Sequence, residues 1–171
     1  MKIKYFFITI MVVILSGCVY SGYYYGVDPI DEIFDDDAFV LLAVVGKYNV
    51  NVINGKTGDG KNYSVVIHAV DREEPISDVY ALHFKAGDSL AIDSIQFQPL
   101  KGSTVTNRKF MKVSFDNPKL MHFPEPKIYY YGMVISTDKQ ARLVSGNREK
   151  VLKVAKRRYP TIFAKYPIAD Q

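Results

Sequence analysis

A single cysteine, Cys18, in a chain of 171 residues excludes an internal disulfide, so any core must be held by packing alone. Histidine is nearly as scarce. His68, His83 and His122 are the only three, and none stands at the HxxxH or HExxH spacing that brings two imidazoles to one metal ion. His68 and His83 fall inside apolar runs and read as satisfied core or face histidines; His122 lies in a proline-bounded loop and is left open. Long apolar runs are missing too. The uncharged stretch 5–15 falls well short of the roughly 20 residues that span a bilayer as a helix. No GxSxG elbow occurs, so the sequence offers no nucleophile in the turn that serine hydrolases of that type require. No fixed repeat period is visible either, which argues against a propeller or solenoid.

The material of one globular domain is present. Hydrophobic residues make up 48% of the chain, too much for a disordered one. The formal charge is +4, but its distribution says more than its sum. Residues 28–37 hold six acids (Asp28, Asp31, Glu32, Asp35, Asp36, Asp37) and no base. Residues 139–171 hold nine bases against only Glu149 and Asp170. This asymmetry has two readings: solvated acidic and basic faces, or a basic surface for an anionic lipid, glycan or acidic partner.

The N-terminus has three parts in order: basic Lys2 and Lys4, apolar Tyr5 to Ile14, and small residues leading to Leu15-Ser16-Gly17-Cys18. Those are the n-region, h-region and cut of a secretory signal. The residues alone leave Cys18 three roles: lipid carrier, free thiol, or half of an intermolecular disulfide. The motif resembles the lipobox of bacterial lipoproteins, over the first 18 residues. That resemblance implies cleavage between Gly17 and Cys18 and acylation of Cys18, leaving 154 residues. With roughly 0.8 kcal/mol per buried methylene, two or three acyl chains anchor a protein almost permanently. Val19, rather than Asp, after the cysteine implies outer-membrane sorting in a two-membraned host. The expected organisation is therefore a signal peptide over 1–17, a Tyr-rich and acidic tether over 18–37, and a domain over 38–171. An exported protein is not a candidate for nucleic-acid binding.

From Ala38 the pattern becomes short β-rich runs broken by turn residues. The expected strands are Ala38–Val45, Tyr48–Ile53, Tyr63–Val70, Val79–Phe84, Ser89–Phe97, Phe110–Phe115 and Ile128–Ser136, with a short return at Ala141–Val144. Breaks fall at Gly46-Lys47, Asn54–Asn62, Asp71–Asp78, Ala86–Asp88 and Pro118–Pro126. About seven such strands predict a mainly β fold, an immunoglobulin-like antiparallel β-sandwich. Ala38–Val45 is apolar on both faces and reads as a central strand. One amphipathic helix is expected over Asn147–Tyr159, capped by Ser145 or Asn147 and stopped by Pro160. Val151, Leu152, Val154, Ala155 and Tyr159 share one arc; Lys150, Lys153, Lys156 and Arg157 share the other. Arg158 lies at the edge of the apolar arc, where it either snorkels to water or pairs with an upstream acid.

Against this background stand a few sharper motifs. Gly55 to Asn62 nearly matches the phosphate-binding GxxxxGK[ST]. However, Tyr63 to Ile67 reads as a strand and Asn62 lacks the magnesium-binding hydroxyl, so a hairpin loop is expected. Asp35-Asp36-Asp37 lacks the ligand spacing of a calcium loop. Asp71, Glu73 and Glu74 are clustered acids ending at Pro75, the weak basis of a hydrolase reading. Tyr129-Tyr130-Tyr131 is the more informative run. In a regular strand Tyr129 and Tyr131 share a face with Met133, and Tyr130 shares the other with Ile128. One face packs in the core; the other is either covered by the C-terminal helix or displays aromatic surface of the kind that binds ligands.

The layout of lipobox, short strands, an Ala86-Gly87-Asp88 turn, Tyr131-Gly132 and a final helix ending Arg158-Tyr159-Pro160 is similar to small bacterial lipoproteins, and carries no activity with it. The expectation is a non-enzymatic envelope lipoprotein held in the membrane by Cys18, needing no metal or cofactor and binding another envelope protein or surface. Its candidate contact residues are Tyr129, Tyr131, Lys150, Lys153, Lys156 and Arg157. The second reading is a glycan or small-ligand module on Tyr129–Tyr131; the third is a hydrolase.

Overall fold

The computed structural model describes residues 33–46, 48–66, 78–99, 111–136 and 141–170. Gly17, Cys18, His68 and the acids Asp71, Glu73 and Glu74 lie outside the described residues, as do parts of the strands expected at Tyr63–Val70 and Phe110–Phe115. Among the described residues there are nine strands: β1 (Asp37–Gly46), β2 (Tyr48–Thr57), β3 (Asn62–Val66), β4 (Asp78–Lys85), β5 (Ser89–Pro99), β6 (Met111–Ser114), β7 (Leu120–His122), β8 (Ile128–Ser136) and β9 (Ala141–Val144). Two helices come after them, α1 (Arg148–Arg158) and α2 (Pro160–Lys165). The protein is a mainly β sandwich.

One sheet runs β4-β1-β8-β9, the other β3-β2-β5-β6 with β7 also paired to β5. Every pairing of these strands is antiparallel except β1–β8, which is parallel from Phe39↔Ile128 to Gly46↔Ser136. The expected all-antiparallel sandwich is corrected at that seam. A parallel pair needs a long crossover, and here everything from β2 to β7 lies between the two strands. No local sequence pattern announces that.

β1 is central, as its two-sided apolar pattern requires. Ala38, Val40, Leu42 and Val44 face the second sheet, packing with Ile53, Leu90, Ile92, Ile95 and Phe97. Phe39, Leu41 and Ala43 face the helices, packing with Val151, Ala155, Tyr159 and Ile162. The molecule therefore has three layers: sheet, sheet, helices. A strand buried on both faces loses the polar alternation of a one-sided strand.

The first helix stops before Pro160 as expected, with Tyr159 as its C-cap, but Pro160 also opens a second helix, α2, that the sequence pattern does not predict. Proline suits a first helical position, where its missing N–H would have no partner anyway. Asn147 takes the N-cap position of α1, but in a left-handed conformation (φ 64°) with no side-chain capping bond. β7 lies inside the expected proline-bounded break, short enough to hide there, with only Met121 of its three residues buried.

Candidate functional site

The Tyr129–Tyr131 run is not a surface platform. All three tyrosines are buried, at 5%, 6% and 5% exposure. Tyr129 and Tyr131 lie in the core between the sheets, and Tyr130 lies under the helices. Met133 sides with Tyr130, against the simple alternation. The β1–β8 register explains it: Leu41 pairs with Tyr130 and Leu42 with Gly132, leaving Tyr131 as an inserted residue. A bulge of this kind shifts which face each later residue takes. Gly132 comes next at φ +150°, where a Cβ would meet Leu143 Cδ1 at 2.9 Å and Val144 O at 3.0 Å.

Each tyrosine hydroxyl serves the fold. Tyr131 Oη accepts from Ile92 N at 2.9 Å and donates to Lys119 O at 2.8 Å, bolting one sheet to the other. The bolt sits where β5 changes partner: β7 pairs with Ser89–Ala91 and β6 with Ser94–Phe97, so Ile92 falls between them. Tyr129 Oη closes the loop before β8 on Glu125 N and O, at 3.2 and 3.0 Å. Tyr130 Oη donates to Gly146 O at 2.7 Å, fixing the lead into α1.

The cationic residues fare differently. Lys150, Lys153, Lys156 and Arg157 are all exposed on the outer face of α1, while Val151 and Ala155 are buried beneath. The helix is held firmly. Tyr159 Oη donates to Val79 O on the edge strand at 2.9 Å, and Arg148 Nη2 donates to Ala169 O at 2.7 Å. Arg158 pairs with the upstream acid rather than reaching freely into water. Its Nη1 is 4.0 Å from Asp78 Oδ1, and its guanidinium lies over the Tyr80 and Tyr159 rings at 5.9 and 5.5 Å. Burial, then the Asp78 carboxylate, push the Tyr80 phenol well above its ordinary pKa.

A second charged cluster lies where the chain enters the domain. Asp37 is fully buried at the start of β1. Its Oδ1 is 2.8 Å from both Lys85 Nζ and His83 Nε2, and its Oδ2 accepts from Phe34 N at 2.7 Å. Burial pushes this carboxyl up, but the hydrogen bonds from Lys85, His83 and Phe34 outweigh it and hold the pKa below the ordinary value. His83 also stacks on Phe39, with ring centroids 5.3 Å apart. Asp36 pairs with Lys85 at 2.7 Å and Asp35 with Lys165 at 3.0 Å. The acidic triplet is therefore matched by lysines rather than gathered around one point. Among the described residues, no group of three or more His, Cys, Asp or Glu is placed to hold a metal ion.

The glycine-rich loop is a hairpin turn between β2 and β3, closed by Thr57 N to Lys61 O at 3.0 Å and Gly60 N to Thr57 O at 2.9 Å. The turn leads into a strand, so the phosphate-loop geometry is absent there. Among the described residues, no helix is long and apolar enough to cross a membrane. No protein-family model matches this sequence, and no curated protein or solved structure matches it.

Sequence reasoning found the basic face of α1 but not the Asp37 cluster. The signal for the latter was faint: an acid in an extended strand register opposite Lys85, with His83 two residues away.

Proposed function

We propose that this chain is a lipid-anchored, non-enzymatic component of the cell envelope that docks an anionic partner on the outer face of α1. The observation that carries the reading is that face itself. Lys150, Lys153, Lys156 and Arg157 are displayed together on a helix fixed to the sheet from behind. Like-charged neighbours three and four residues apart each cost a helix a few tenths of a kcal/mol. The fold gains no core packing from these side chains, because the contacts to the sheet come from Val151, Ala155 and Tyr159. An anionic partner offsets that repulsion, and charge complementarity speeds encounter and sets orientation.

The anchor rests on the likeness of Leu15-Ser16-Gly17-Cys18 to a lipobox, with outer-membrane placement in a two-membraned host. The glycan-platform reading loses its basis, since Tyr129 and Tyr131 are core residues with both hydroxyls engaged.

Amine acetylation in intact cells tests the docking half. Lys150, Lys153 and Lys156 are expected to react several-fold more slowly in cells than in the detergent-released chain. Equal reactivity in both would remove the docking surface. Mass spectrometry of the Cys18 peptide tests the other half: an unmodified N-terminal segment ends the anchored reading.

A further inference from the structure

We infer that the anionic partner of α1 is the bilayer surface itself, an anionic phospholipid leaflet on which the domain lies with its helix layer facing the headgroups. This rests on the anchored reading above, and three observations lead to it.

The first is where the chain enters. Ile33, like Leu152, Val154 and Phe163, packs against the buried helix-side cluster. Lys165 Nζ donates to Ile33 O at 2.8 Å, and Tyr166 Oη donates to Phe34 O. The segment arriving from Cys18 thus joins the domain at the helix layer, the same layer whose outer face is basic.

The second is reach. Residues 19–32 extend at most roughly 50 Å even when fully stretched. A domain on so short a leash meets its own membrane at an effective concentration of order millimolar, so weak contacts suffice to orient it.

The third is charge. Four cations and one acid, Glu149, occupy the outer part of α1. Of the six acids in 28–37, Asp35 and Asp36 are matched by Lys165 and Lys85 and Asp37 is buried, which blunts the repulsion of an anionic leaflet by these three. Each lysine near such a surface strengthens contact about fivefold. The exposed face of α1 carries no apolar wedge, so docking is superficial and salt-sensitive.

The test uses the full processed chain, reconstituted through its anchor into vesicles of phosphatidylcholine alone or partly replaced by phosphatidylglycerol. Acetylation of Lys150, Lys153 and Lys156 is compared with that of Lys56 and Lys119, exposed residues on the opposite sheet side. The expected result is about fivefold slower reaction of the α1 lysines on anionic vesicles only. That protection is reversed by high salt, with Lys56 and Lys119 unchanged. Equal rates on both vesicles, with acylated Cys18 confirmed by mass, overturn the inference. If the same lysines are nonetheless protected in cells, the docking surface stands and its partner is not the bilayer. A Cys18 without acyl chains would instead defeat the anchored reading beneath.

Discussion

Tyr131 illustrates how much one side chain settles here. Its hydroxyl supplies the partners that Ile92 N and Lys119 O would otherwise lack at the gap between β6 and β7. Tyr131→Phe keeps the ring but leaves both groups without it, so a loss of about 1–3 kcal/mol is expected by chemical denaturation. A loss below a few tenths would mean water replaces the hydroxyl freely. Gly132→Ala is expected to cost more than about 1 kcal/mol, because φ +150° disfavours a side chain and Leu143 crowds the added methyl. Asp37 carries a pH signature. Its folded pKa lies below its unfolded one, so the ionised carboxylate stabilises the fold above the unfolded value of about 3.9. That contribution is lost as pH falls through the lower folded value. Asp37→Asn should therefore be less stable than the parent at neutral pH, with the difference shrinking in acid below about pH 4. A gap independent of pH would contradict it.

At the level of elements, α1 separates two jobs by face. Its inner face is structural and its outer face makes no core contacts, so Lys150→Gln, Lys153→Gln and Lys156→Gln together should change stability by no more than about 0.5 kcal/mol. Thermal unfolding checks this, and a large drop would make the cations part of the fold. The arc assignment was legible because a helix repeats every 3.6 residues, and the apolar stripe is unbroken from Val151 to Tyr159. The β8 faces were only half legible. Alternation predicts Met133 beside Tyr129 and Tyr131, yet one inserted residue at Tyr131 moves Met133 to the helix side. Bulges answer to pairing with another strand, and β1 lies far away in sequence. β7 was missed for a related reason: three residues between prolines become a strand only because β5 offers Ser89–Ala91 as an edge.

For the molecule as a whole, the three-layer order makes the helices part of the core. Removing everything after Val144 would bare Phe39, Leu41, Ala43, Ile128 and Tyr130 on one face of the first sheet. Such a truncated chain is expected to aggregate or bind hydrophobic dye strongly; a soluble, cooperatively folding product would show the helix layer to be dispensable. The sequence by itself determined the sandwich class, the central place of β1, most strand positions and the basic face of α1. Each of those comes from local pattern: apolar periodicity, turn residues, and charge along one helix. Tertiary structure alone decided the parallel β1–β8 seam, the bulge at Tyr131 that turns Met133 to the helix side, the start of α2 at Pro160, and the pairing of Asp35–Asp37 with Lys85 and Lys165. Those depend on which distant segments meet, and the closure of Asp37 on Lys85 across 48 residues leaves no trace in a local window.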